Sequence, residues 1–385
     1  MSRIWSCGFE LNATSTVELD FITASKIQGI VVRSGTYAFK ASANNDEARI
    51  RWSAANNGQG VIFIRFYLYI DTSFFDTKEI AAACTFSGVT DKIGFKLTSA
   101  NKLQLFDFTN VSQIGSDSPA LTSATWYRIE LSIDTTTLAS TVVEARIGGV
   151  SFASGTVNQD FGPTGFRIFD AQSVSGIYYV DDIAVNDNSS PGPTSWVGDS
   201  KIIHLRPSAT GDSTQWIPDS ESNYARVNEI TPDDATSLVS DVILNDSDLY
   251  NVDNSGIGAS DTVNVVAVGV RFRNDVADAT TAFKVQIEKV SGGTISQSAA
   301  ITPNSTTWKT NAVAVPRNYP LVLYQDPDSS NWTQATLDTM QIGVQSTAIG
   351  VNKNQISTIW ALVDYTPAGG EPTGVINPLY LRSLK

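Results

Sequence analysis

Apolar and polar residues alternate along most of this chain with a period of two, the spacing of β-strands that bury one face. Between 126 and 133, Tyr127, Ile129, Leu131 and Ile133 point one way, and Arg128, Glu130 and Ser132 the other. After a Thr-rich turn, Val143, Ala145 and Ile147 alternate with Glu144 and Arg146 before Gly148-Gly149 turns the chain again. Residues 93–97 and 103–108 form a second such pair. The run Val61-Ile62-Phe63-Ile64-Arg65-Phe66-Tyr67-Leu68-Tyr69-Ile70 is nearly continuous in apolar, β-branched and aromatic residues, which predicts a central strand covered on both sides.

The pattern breaks at residues 186–194, a polar stretch with two prolines and a glycine that reads as a linker, and resumes beyond it. Val266, Val268, Val270 and Phe272 alternate with Arg271 and Arg273, and Phe283, Val285 and Ile287 with Lys284, Gln286 and Glu288. Residues 331–339 are the one segment with a helical reading. The expected class is all-β: two β-sandwiches in tandem, at 1–188 and 196–366, joined by a linker at 189–195 and followed by a C-terminal tail at 367–385.

Composition narrows the partners. Only 17% of the 385 residues are charged, and the formal net charge is −13, so the chain repels phosphate. Nucleic acid and membrane are not expected partners. No apolar run reaches the roughly 18 residues of a membrane helix, and Met1-Ser2-Arg3-Ile4-Trp5-Ser6-Cys7 has no apolar core of a secretory signal, which predicts synthesis without export by that route. Cys7 and Cys84 read as two buried free thiols.

Candidate chemistry is sparse. His204 is the only histidine and alternates within a strand, so it reads as structural, and no Cys/His cluster supports zinc. Glu18-Leu19-Asp20 has the two-residue spacing that puts carboxylates on one strand face, but position 23 is Thr23, so a third acid in that register is missing. Asp181 and Asp182 are adjacent, which places them on opposite faces of a strand; one of them needs a hydrogen-bonding or ionic partner. Plain hydrogen bonding and a structural calcium both answer that need, with Glu10 a further carboxylate if the first and last strands are neighbours. Asp241, Asp246, Asp248 and Asp253 read as a solvated loop. Trp308 and Trp360 read as core, while Trp5, Trp52, Trp196, Trp216 and Trp332 are candidates for exposure.

Six segments together resemble the concanavalin-like, laminin-G-like jelly roll. They are Gly8-Phe9-Glu10, Ser34-Gly35-Thr36-Tyr37-Ala38-Phe39-Lys40, the 63–70 strand, Trp126-Tyr127-Arg128-Ile129-Glu130-Leu131, Gly165-Phe166-Arg167-Ile168 and Tyr178-Tyr179-Val180-Asp181-Asp182-Ile183-Ala184-Val185. The resemblance implies a jelly-roll first domain, with calcium held by Glu10 and by Asp181 or Asp182. The second half, through Ser195-Trp196-Val197-Gly198-Asp199, Gln215-Trp216, Asn223-Tyr224-Ala225-Arg226-Val227-Asn228-Glu229, Asp248-Leu249-Tyr250 and Asn331-Trp332-Thr333, resembles a module that follows such jelly rolls in tailed-bacteriophage virion proteins. That resemblance implies a structural component of a phage particle, on its head or tail.

The resulting expectation is a non-enzymatic virion protein that attaches to other virion proteins of the capsid or tail and forms a homo-oligomer. The apolar tail residues Ile376, Leu379, Tyr380 and Leu381, behind Gly369-Gly370, are the expected contact by strand addition or groove filling. The alternative is a carbohydrate-binding module for host surface glycans.

Overall fold

The computed structural model describes residues 3–369 except 13–18, 44, 53–59, 86–89, 138, 159–161, 170–175, 190–191, 235–237, 242, 315–317 and 349. The tail residues Ile376, Leu379, Tyr380 and Leu381 lie outside the described residues, as does Glu18. The chain is all-β, and every strand pairing among the described residues is antiparallel. The described residues fall into two compact units, one of residues 3–9 and 19–199, the other of 10–12 and 200–369. Ser195-Trp196-Val197-Gly198-Asp199 pack with the first of these.

The first unit is a sandwich of two sheets. The front sheet runs, from edge to edge, Val150–Val157, Thr141–Ile147, Trp126–Asp134, Val61–Thr72, Ile177–Asp187, Ala38–Ala41 and Ile27–Gln28, with Arg3–Cys7 also pairing with Ile177–Asp187. The back sheet runs Ser112–Ile114, Leu103–Asp107, Thr90–Leu97, Lys78–Thr85, Gly165–Phe169, Glu47–Arg51 and Phe21–Ile22. The alternation read from the sequence decides which side chains meet between the sheets. Ile62, Ile64, Phe66, Leu68 and Ile70 enter the core with Tyr127, Ile129, Leu131 and Ile133. Phe66 packs there on Phe95 and Phe166 of the back sheet, with ring centroids 5.9 and 5.6 Å apart. Each such side chain, fully buried, contributes about 1.5–3 kcal/mol. Cys7 and Cys84 are both free and buried. Burial pushes the Cys84 thiol well above its ordinary pKa, which leaves it unreactive.

The second unit is also a two-sheet sandwich. Asn354–Thr366 is central to one sheet, between Val239–Asp241 and Thr262–Asn274, and also pairs with Lys201–Leu205. Gln341–Ala348 is central to the other, between Ser247–Val252 and Ala282–Glu288. Val266, Val268, Val270, Phe272, Phe283, Val285, Ile287, Ile342 and Val344 fill the space between them. Gly343 faces Leu249 across the strands, and a Cβ there would lie 1.8 Å from the Asp248 carbonyl oxygen, so only glycine permits this approach. The helical reading of 331–339 corresponds to the helix Gln334–Thr339, whose N-cap Thr333 exchanges hydrogen bonds with Thr336 in a capping box. No helix among the described residues is long and apolar enough to cross a membrane.

Candidate functional site

The outer face of the front sheet carries most of the polar and aromatic chemistry of the first unit. Residues 63, 65, 67 and 69 are out of phase with the core positions of their strand, so Phe63, Arg65, Tyr67 and Tyr69 face outward. Their cross-strand neighbours follow from the register. Tyr69 stands opposite Trp126 and Tyr179, and Tyr179 stands opposite Lys40. One step along, Tyr67 stands between Arg128 and Asp181; one step further, Arg65 stands beside Glu130 and Ala184.

The lower rows are filled by the chain itself. Glu130 accepts the Gly198 N–H at 3.0 Å, and Arg65 donates to the Gly198 carbonyl at 3.4 Å. Asp199 accepts from the Tyr67 hydroxyl and from Arg33. Trp196 packs on Phe63 at 5.4 Å, beneath the Arg146 guanidinium. Arg33 lies 3.3 Å from the centroid of the Tyr67 ring. Burial raises the Tyr67 hydroxyl well above its usual pKa, so it remains a donor.

Asp181 and Asp182 both belong to this filled region. Their carboxylates do not diverge to opposite faces, as strict alternation requires. A bulge in the Ile177–Asp187 strand shifts the register between Asp181 and Ala184, and Asp182 takes a positive φ of 48°. Both carboxylates consequently reach the loop at Arg33 and Ser34. Asp181 accepts the Arg33 and Ser34 backbone N–H groups at 2.9 and 3.4 Å, and the Asp182 N–H at 2.8 Å. Asp182 accepts from Arg33 Nη1 and from the Ser34 hydroxyl, both at 2.6 Å. Glu10 lies in a short segment that packs with the second unit, where its carbonyl accepts from Arg206 at 2.8 Å. No group of three or more His, Cys, Asp or Glu side chains is arranged to hold a metal among the described residues.

The upper row remains a surface. Trp126, Tyr69 and Lys40 are half-buried, and Tyr179 is 6% exposed. The rings of Tyr69 and Trp126 are 5.3 Å apart and those of Tyr69 and Tyr179 are 5.8 Å apart, so the three form one contiguous aromatic strip. The Lys40 ammonium lies 5.8 Å from the Tyr179 ring. Burial, and after it the charge of Asp71, raises the Tyr179 pKa. Sequence reasoning passed over Tyr69, Tyr179, Lys40 and Arg33. Their strands are nearly continuous in apolar and aromatic residues, so no alternation in the sequence singled out Tyr69 or Tyr179.

The back sheet presents a different outer face, a network of charges over small residues. Arg167 reaches Glu47 and Asp91, both at 2.8 Å, and Arg49 also donates to Glu47. Desolvation pushes the Asp91 carboxyl up to about 6, against the opposing pull of Arg167. A folded-state value above the ordinary carboxyl value stabilises the fold in acid, and that contribution is lost as pH rises through about 6. With the discount that partial exposure requires, the change amounts to about 1–2 kcal/mol. Between pH 4 and pH 7, Asp91→Asn is therefore expected to flatten the fall in first-unit stability that the unaltered chain shows. Urea unfolding of both proteins at the two pH values checks this, and equal slopes would refute it.

In the second unit, Asp241 and Asp248 depart from the reading of 241–253 as a solvated loop, while Asp253 is exposed outside the strands. Asp241 and Asp248 are on strands, 2% and 0% exposed. Asp248 accepts from the Trp216 N–H at 2.9 Å, the Asn223 amide at 2.5 Å and the Tyr250 hydroxyl at 2.8 Å. His204 stacks on Trp360 with centroids 5.8 Å apart, and burial followed by the Arg206 charge holds its pKa well below the ordinary value. Of the tryptophans read as candidates for exposure, Trp5, Trp52, Trp216 and Trp332 are buried, and only Trp196 is half-buried.

No protein-family model matches the chain, and no curated protein matches it. Similar solved structures include an endo-β-1,4-glucuronan lyase from the fungus Trichoderma reesei, at 13% identity and a TM-score of 0.37, covering 48% of this chain and 95% of that one. The cellulose-induced protein Cip1 matches at 13% identity and a TM-score of 0.36, over 50% of this chain and 99% of its own. A Trypanosoma rangeli sialidase in complex with sialic acid matches at 11% identity and a TM-score of 0.32, over 43% of this chain and 27% of its own. The expectation of a non-enzymatic protein is corrected here: a lyase and a sialidase stand among the similar structures, and the absence of activity is not carried forward. At these values the likeness assigns no activity, substrate or residue to this chain. The virion resemblance rests on the sequence alone.

Proposed function

We propose that the first unit recognises a glycan, laying sugar rings along the outer face of its front sheet. The observation that carries this reading is the strip of Trp126, Tyr69 and Tyr179. Three adjacent strands each contribute one ring, at the same level, to a face that the core does not need. Neighbouring strands are about 4.8 Å apart, so the row from Trp126 to Lys40 spans about 14 Å, enough for a short run of sugars rather than a single one. Aromatic rings offer an apolar face at little entropic cost, and Tyr and Trp add a polar edge for hydroxyl groups. Above the filled rows, Trp126 and Tyr69 stay half-exposed. In the setting the sequence resemblance implies, a phage particle, such a face would hold a host surface glycan.

The test is a glycan array probed with the full chain, followed by titration of a bound glycan against Trp126→Ala and Tyr69→Ala. Each variant is expected to weaken binding about tenfold or more, with thermal unfolding close to that of the unaltered protein. An array without hits, or variants that bind as tightly as the parent, would overturn the reading.

A further inference from the structure

We propose that the glycan is acidic, and that the Lys40 ammonium binds a carboxylate on the sugar lying at the Lys40 end of the strip. The inference rests on the glycan reading above and adds the class of sugar. Lys40 is directly opposite Tyr179 in the strand register, at the end of the aromatic row, with its ammonium 5.8 Å from that ring. It makes no ion pair among the described residues. The adjacent Lys26, whose carbonyl accepts the Lys40 backbone N–H, is by contrast held by Asp46 at 2.7 Å.

The other charges around the strip favour this one position. Arg128, one row below, is engaged by Glu130 at 3.2 Å. Asp71, exposed at the end of the Val61–Thr72 strand, acts on the Tyr179 hydroxyl and would repel an anion placed there. A carboxylate on the ligand therefore has one favourable site, at Lys40. A half-buried lysine with no carboxylate partner keeps its three N–H donors for an incoming oxygen. On a chain of net charge −13, this local cation is also what would let an anionic ligand approach at all.

The experiment titrates the full chain with an oligouronate trisaccharide and its carboxyl-reduced, neutral counterpart, and with sialyllactose and lactose. These pairs distinguish a uronic from a sialic source of the carboxylate. At least one acidic sugar is expected to bind about tenfold more tightly than its neutral partner, with the preference shrinking as salt rises. Lys40→Met is expected to abolish the preference, with a loss for the acidic form about tenfold larger than any change for the neutral form, and Lys40→Arg to retain it. Equal binding of acidic and neutral forms, or a preference that survives Lys40→Met, would overturn the inference and leave the glycan reading standing. If no form of either pair binds, the inference falls, and the glycan array alone decides the glycan reading.

Discussion

Replacing Arg33 with methionine is expected to cost the first unit about 3–5 kcal/mol, the usual price of stranding a buried charge. The Arg33 side chain is 3% exposed and the Asp182 side chain 0% exposed. The guanidinium joins Asp182 at 2.6 Å and Asp199 at 3.0 Å, and lies 3.3 Å from the Tyr67 ring centroid. Burial alone would lower the pKa of this guanidinium; the surrounding charges, Asp182 first, raise it above the ordinary value. Methionine keeps the apolar stem and the backbone N–H that serves Asp181, so the loss isolates the charge. Asp182 would retain the Ser34 hydroxyl, but with no cation to balance it in that pair. Adding Asp182→Asn to Arg33→Met should restore part of the stability, because it removes the carboxylate that pairs with Arg33, and the non-additivity measures the coupling. Hydrogen exchange along Ile177–Asp187 and urea unfolding are the readouts. A loss below about 1 kcal/mol would mean that solvent reaches Asp182 and that the network is peripheral.

The sandwich itself was legible because its signal is local. Tyr127, Ile129, Leu131 and Ile133 declare one buried face by alternation, and the structure places all four in the core. The strip was not legible: Tyr69 and Tyr179 stand in nearly continuous apolar runs, and only the register shows that Trp126, Tyr69 and Tyr179 stand level on one face. The convergence of Asp181 and Asp182 was not legible. It depends on a positive φ at Asp182, and on a loop 148 residues earlier supplying the donors, and neither leaves a trace in the spacing of the acids. Trp52 was legible and misread: Ala48, Ile50 and Trp52 alternate with Arg49 and Arg51, and the structure buries Trp52 at 1% exposure with its indole N–H on the Pro163 carbonyl. Asp248 was legible and misread. It is in phase with Tyr250 and Val252, both core residues, so alternation already pointed its carboxylate inward.

That inward carboxylate leads to the second large effect. Asp248→Ala is expected to destabilise the second unit by about 3 kcal/mol or more, since three buried donors lose their acceptor together. Those donors come from separate elements. Trp216 packs edge-on against Phe283 at 6.4 Å, Asn223 opens the 3₁₀ turn Asn223–Arg226, and Tyr250 is in the same strand as Asp248. The carboxylate therefore ties a turn and a loop to the sheet, and its removal frees both. Asp248→Asn should cost less, because it keeps one oxygen acceptor and carries no charge. The two proteins should also differ in pH dependence. Burial, outweighing the hydrogen bonds from Asn223 and Trp216, raises the Asp248 pKa above the ordinary carboxyl value. Its stabilising contribution is then greatest in acid and declines as pH rises through that raised value. The Asn variant cannot titrate, so its deficit relative to the parent should be larger at pH 4 than at pH 7. Hydrogen exchange along Ser247–Val252 and Gln341–Ala348 at both pH values provides the measurement. A deficit that grows toward neutral pH would show instead that the ionised carboxylate is the favoured form in the fold, held by its three donors more strongly than burial opposes it.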